Sequence, residues 1–233
     1  MAETGYSHAP KIAKGALVQI LKDIVGIVPV IVPFQYNPAK LTRRLEPWNP
    51  FAGEQTTRGS QAALVQPFDV KETFSGFVIE LDATDDLEAG DPIALVMGVE
   101  HRLAALRKLT QASEGLLGDL VASATSLLTG AEAEAKRPTV APVLLVLGPR
   151  LVLPVRVTSF SVDETLFAPD FHPLHATVSM DLEVLTPDVF RCQTDITADI
   201  AVAAYRFSRL QEDAAAVLNI ANADEAIRSF LPF

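Results

Sequence analysis

PVLLVLGPRLVLPVRVTSFSVDETLFAPDFHPLHATVSMDLEVLT, residues 142–186, alternates apolar and polar side chains over most of its length. From 174 to 184 the even positions are Leu174, Ala176, Val178, Met180, Leu182 and Val184, and the odd ones are His175, Thr177, Ser179, Asp181 and Glu183. A two-residue period of this kind predicts a strand with one face covered and one face wet. Upstream, Leu151, Leu153, Val155 and Val157 share a parity, with Arg150, Pro154, Arg156 and Thr158 between them, until Phe160 and Val162 take over the apolar parity. A bulge near 158–160 accounts for the switch, because one extra residue moves every later side chain to the other face. The connection 164–173 has the length of a long hairpin loop and is too short for a helical crossover. The stretch therefore predicts two long antiparallel strands.

The rest of the composition bounds what surrounds that hairpin. With 233 residues, 49% of them apolar, the chain can bury a substantial core. A formal net charge of −10 without any run of basic residues argues against nucleic acid as a partner, since phosphate binding rests on clustered Lys and Arg. The single cysteine, Cys192, cannot form an internal disulfide. Glu3 precedes the first apolar run, and Lys14, Lys22 and Asp23 interrupt it, so no secretory signal is expected. The run 115–130 contains Asp119 and falls short of the roughly 20 residues of a bilayer span, so no direct membrane insertion is expected. These features predict a cytoplasmic protein.

Along the chain, 1–9 reads as a tail and 11–25 as an amphipathic helix, with Ile12, Ala13, Ala16, Leu17, Ile20, Leu21, Ile24 and Val25 at helical spacing. Its apolar face either packs on its own domain or docks on a neighbouring subunit. Val28, Val30, Val32, Phe34 and Tyr36 alternate with Pro29, Ile31, Pro33 and Gln35; two prolines on one parity predict an edge or interrupted strand. Asn37-Pro38 marks a turn, 41–45 is a short basic segment, and 46–73 is loop-like. Trp48 and Phe51 in that connection favour a docking surface. Residues 74–82 alternate as another strand, followed by Asp82, Asp85, Asp86, Glu88 and Asp91. The five suit a calcium ion, although their spacing is not that of an EF-hand, and Asp85, Asp86 and Glu88 alternatively suit the cap of the helix that begins nearby. A helical pattern runs over 92–129 and a charged connector over 131–137; beyond the hairpin, 195–218 is rich in alanine, 224–231 suits a short helix, and Phe230, Leu231, Pro232 and Phe233 form an apolar end suited to an interface. The organisation expected is a tail and helix at 1–26, a β domain at 27–190 with a helical insertion at about 92–130, and a helical extension at 191–233.

Chemistry-bearing motifs are sparse. Asp170, His172 and His175 are the nearest approach to a metal constellation, but a structural zinc site wants four ligands and no Cys pair or third His accompanies them. There is no G-x-S-x-G, no signature around Cys192 and no glycine-rich phosphate loop. No catalytic, cofactor-binding or metal-ligating residues are assigned, and the protein is not expected to be an enzyme.

Four segments in a fixed order carry a resemblance: FQYNPAKLTRR at 34–44, ETFSGFVIELDATDDLEAGDP at 72–92, GVEHRLAALRKL at 98–109, and the hairpin itself. Together, over roughly 31–185, they resemble the contractile injection system tube family of phage-tail-like baseplate-hub or tube-initiator proteins. The resemblance implies an α+β, mainly β chain built on an antiparallel tail-tube-like β-barrel or sandwich with flanking helices. It further implies a homo-oligomer in a six-fold ring, with tube, spike and baseplate proteins as partners, linking a trimeric spike to the inner tube of a particle assembled in the cytoplasm or released from it. Phe34, Asn37, Pro38 and Arg43 would be framework of the first strand and turn, and Phe167 would fill the equivalent place in the hairpin loop; Trp48, Phe51 and Phe233 complete the candidate assembly set. Leu147-Gly148 stands where many relatives have Trp-Gly, and 195–233 does not resemble the LysM module that many of them carry. In a tube the polar parity His175 to Glu183 would face the lumen; otherwise it meets bulk water. The alternative of a different class is a small-molecule-binding or hydrolytic β-barrel.

Overall fold

A computed structural model describes residues 14–23, 26–48, 66–111 and 140–230. At its centre are β6 (Leu151–Phe167) and β7 (Pro173–Val184), antiparallel from Val155↔Val184 to Phe167↔Pro173. Their register shifts between Val157 and Ser159, where the sequence changes its apolar parity. The bulge lets Leu153 and Val155 before it, and Phe160 and Val162 after it, contribute to one core. Along β7, Ala176, Val178, Met180, Leu182 and Val184 are all buried, as the alternation predicts. The connecting loop is shorter than the sequence suggested: the ladder continues through Thr165↔His175, leaving only 168–172 as the turn.

Five further strands complete the sheet: β1 (Ala16–Asp23), β2 (Gly26–Pro33), β3 (Thr42–Glu46), β4 (Lys71–Asp82) and β5 (Val143–Leu147). The order is β2-β1-β5-β6-β7-β4-β3 and every pairing is antiparallel. The helix expected over 11–25 is not formed in its described part, since 16–23 is β1. Apolar residues fall on both parities there, so the run satisfies a helical and a two-residue period at once. The choice is made by tertiary pairing, with β2 on one side and β5 on the other, and Leu17, Gln19 and Leu21 face the interior. β2 is an edge strand, as Pro29 and Pro33 predict.

The two sides of the sheet approach one another. Just beyond β2, the Phe34 ring lies 5.5 Å from that of Phe77 in β4, tilted by 56°. Next to it, the Gln35 amide donates to the Asp82 carbonyl at 2.8 Å and accepts from the Asp82 N–H at 2.9 Å. Contacts between one edge and the far half of the strand order require a strongly curled sheet. The covered face is filled by one continuous cluster that includes Leu17, Phe34, Phe74, Phe77, Leu145 and Leu153.

Three short helices, α1 (Thr84–Glu88), α2 (Pro92–Met97) and α3 (Glu100–Lys108), follow β4 and fall partly in the predicted insertion. The remainder of that insertion, 112–130, lies outside the described residues. Two carboxylates of the acidic run, Asp82 and Asp91, stand at the starts of α1 and α2, whereas Asp85, Asp86 and Glu88 lie within α1 and cap nothing. Asp82 accepts from the Thr84 N–H at 2.7 Å and its hydroxyl at 2.5 Å, and Asp91 caps α2 through the Ile93 and Ala94 N–H groups. Leu103 and Leu106 of α3 complete the core. At the corner between α2 and α3, Gly98 has φ +53, and a Cβ there would stand 2.2 Å from the Pro173 carbonyl oxygen. The next N–H, that of Val99, donates to the same oxygen at 3.0 Å. Gly98→Ala is expected to destabilise the fold by about 2 kcal/mol, combining the left-handed strain with that clash; urea titration measures it.

After a single 3-10 turn at Pro187–Phe190, one continuous helix, α4, spans Ile196–Phe230. The sequence suggested two helical segments, and the structure joins them. Ala198, Ala201, Tyr205 and Ser208 lie on one face and are buried. Ser208 performs a backbone task. Its hydroxyl accepts from the Val152 N–H at 2.8 Å and donates to the Val152 carbonyl at 2.7 Å, where β7 has already ended. A side chain thereby substitutes for a missing strand partner. Ser208→Ala should cost about 1–2 kcal/mol by leaving both groups unpaired, read as a lower urea midpoint at unchanged slope.

Candidate assembly surfaces

The residues singled out from the sequence do not converge on one point. Phe34 is buried, and Asn37 accepts the Gly15 N–H through Oδ1 at 3.0 Å. Phe34 also receives Gly15 closely: its N–H donates to the Gly15 carbonyl, and a Cβ on Gly15 would lie 2.5 Å from its ring. Pro38 is half-buried in the turn between β2 and β3. Phe34 and Asn37 hold the corner of the sheet. Trp48 is exposed, while Phe51 and Phe233 lie outside the described residues. Of the histidines, His172 Nδ1 is 2.5 Å from an Asp170 carboxylate oxygen and His175 Nδ1 is 2.8 Å from the Thr165 hydroxyl. The two histidines thus stand beside different neighbours. Among the described residues no group of three or more His, Cys, Asp or Glu side chains is arranged to hold a metal ion.

Arg43 belongs to a closed ring of charges. Its Nε pairs with Glu72 and its Nη2 donates to Glu212 at 2.6 Å; Arg209 in turn reaches Glu72 at 2.9 Å and Glu212 at 2.7 Å. Each arginine bridges both glutamates, so β3, β4 and α4 are tied together by charge-assisted hydrogen bonds. Glu72 has no exposed side-chain surface, whereas the arginines keep just over a quarter of theirs. The Arg209 guanidinium also sits 4.9 Å from the Tyr205 ring centroid. Burial would raise the Glu212 carboxyl, but hydrogen bonds from Arg43 and Arg209 outweigh it and hold the carboxyl below its ordinary value. Glu72, Arg209 and Glu212 escaped sequence reasoning. Only Glu72 left a trace, as a carboxylate two residues before Phe74 on the covered parity of β4.

Far along the sheet from this lock, the β6–β7 turn presents Phe167 as part of an apolar tip. Its ring stacks on Phe171 at 4.7 Å and 10°, and Phe171 is 78% exposed. Leu166 and Phe171 adopt φ of 54° and 72°, conformations that are costly for bulky residues. Through Gly98 and Pro173 the tip adjoins α2, whose Ile93, Leu95, Val96 and Met97 are exposed as well. Exposed apolar surface of this kind suits a protein contact.

Between tip and lock lies the outward face of β4, β7 and β6. Glu80, Thr177 and Asp163 stand side by side there, as do Val78, Ser179 and Ser161 in the next row. Asp181 accepts the N–H of Gly76 at 2.8 Å, and Glu183 pairs with Lys71 at 3.4 Å. The result is a hydroxyl- and carboxylate-rich wall. No protein-family model and no curated protein matches the chain. Among the described residues no helix is long and apolar enough to cross a membrane.

Proposed function

We propose that the protein is a structural subunit of a phage-tail-like contractile injection system, forming a baseplate-hub or tube-initiation ring that links the spike to the inner tube. The reading rests on the four-segment resemblance, and the observation that supports it most is the wall formed by β4, β7 and β6. Its outward side chains are mostly hydroxyls and carboxylates, suiting a lumen through which cargo must slide without sticking. Its covered side is filled by side chains rather than left open, which favours a load-carrying role over the small-molecule-binding or hydrolytic alternative. The Phe34–Phe77 and Gln35–Asp82 contacts, which curl the seven-stranded sheet, support a barrel-like reading. The apolar tip and α2 then supply contacts to neighbouring ring, tube, spike or baseplate proteins.

The experiment is cryo-electron microscopy of purified injection particles from cells carrying the tagged protein. A six-fold density at the spike end of the tube is expected. Intact particles that lack the protein, with all of it recovered as free subunits, would overturn the proposal.

A further inference from the structure

Helix α4 has two apolar faces, and the sheet covers only one of them. Opposite the buried side formed by Ala198, Ala201, Tyr205 and Ser208 runs a second stripe: Ile200, Ala203, Phe207, Leu210, Ala214 and Val217. Their spacing alternates three and four residues, the a and d positions of a heptad repeat. Phe207 is 40% exposed, and Leu210 and Val217 are each 63% exposed. From 213 to 220 the helix is exposed on every side, and none of the described residues covers the later half of this seam.

We propose that this stripe pairs with the same stripe of a second copy of the chain, the two helices running antiparallel. The direction follows from charge. Arg206 and Asp213 occupy the same flanking g position one heptad apart, and both are exposed with no ion pair to any described residue. In a parallel pair, g faces the partner's e position, occupied here by Ala204 and Gln211, and no charges meet. In an antiparallel pair, flanking g positions face each other, so Arg206 meets the partner's Asp213 and Asp213 meets the partner's Arg206. The core layers fit the same register. Ile200 opposes the partner's Val217, Ala203 the partner's Ala214, and Phe207 the partner's Leu210, each repeated by the two-fold axis. The seam from 200 to 217 is about 26 Å long at the helical rise. Each body is docked on the far side of its own helix, which leaves the seam clear for the approach. Such a contact is isologous and closes on itself. It is independent of the ring reading and describes the subunit before it joins other proteins.

The test is sedimentation equilibrium of the full chain at about 1–100 µM, a range suited to a small interface. A monomer–dimer equilibrium is expected. Leu210→Glu should weaken dimerisation by at least about 100-fold while leaving the circular dichroism spectrum unchanged. Arg206→Asp should weaken it by about tenfold, since two Asp–Asp contacts replace two ion pairs. Arg206→Asp combined with Asp213→Arg should restore it. A wild-type chain that is monomeric throughout, a dimer indifferent to Leu210→Glu, or a charge swap without rescue would each overturn the proposal. A hexamer that survives Leu210→Glu would do so too while leaving the ring reading standing.

Discussion

Phe77→Ala is expected to lower the unfolding free energy by about 4 kcal/mol, the range for deleting a fully buried aromatic ring. Phe77 is 1% exposed and touches Phe34 across the curled sheet, so its removal leaves a cavity lined by two distant parts of the chain. The site owes its existence to a bulge. Gly76 has φ +60 and its N–H is held by Asp181, and the register of β4 shifts between Phe74 and Phe77. Without that extra residue Phe74 and Phe77, three apart, would point to opposite faces. Both are instead fully buried. Val78→Ala, on the half-buried opposite parity, should cost under about 1 kcal/mol and serves as the control. Chemical denaturation of both variants checks the contrast; a Phe77→Ala loss below about 1.5 kcal/mol would show that the two sides of the sheet do not share a core.

How much of this was legible in the sequence depends on how local the deciding interaction is. The β6–β7 hairpin was readable, including its bulge, because side-chain parity is written residue by residue and the covered face is continuous. The edge position of β2 was readable because Pro29 and Pro33 each lack an N–H. β1 was not, since its apolar residues fit two periods and one of its two pairing partners, 143–146 in β5, lies more than a hundred residues away. Gln19, buried within β1 and donating to the Ala141 carbonyl at 3.3 Å, gave a misleading polar mark to an inward position. The continuity of α4 was hidden by its own composition, since its second apolar stripe is left exposed by the described residues. Of the candidate assembly residues, Phe34 and Asn37 lie at the corner after β2, and Arg43 is a member of a lock whose other three residues are drawn from β4 and α4.

That lock carries the second large effect. Glu72→Ala should destabilise the protein by about 3 kcal/mol, the lower end of the range for breaking a buried ion pair. The lower end applies because Arg43 and Arg209, once deprived of Glu72, keep part of their surface in water and retain Glu212. Glu212→Ala should cost under about 1 kcal/mol, because Glu212 is about a third exposed and the buried Glu72 continues to hold both arginines. The asymmetry is the signature: two carboxylates in one ring, with the effect following burial rather than the number of contacts. Acid supplies an independent check. The folded-state Glu212 carboxyl sits below its ordinary value, so its stabilisation is complete above the unfolded-state value of about 4.3 and is lost as pH falls through the folded one. Asp82, depressed by hydrogen bonds from the Thr84 hydroxyl and N–H, adds loss in the same direction. Stability should therefore be flat on this account from neutral pH down to about pH 5 and fall below it. In Glu212→Gln the acid fall should be shallower than in the wild type, leaving the part due to Asp82. An acid profile unchanged by Glu212→Gln, together with equal losses for Glu72→Ala and Glu212→Ala, would show that the ring does not fasten α4 to the sheet.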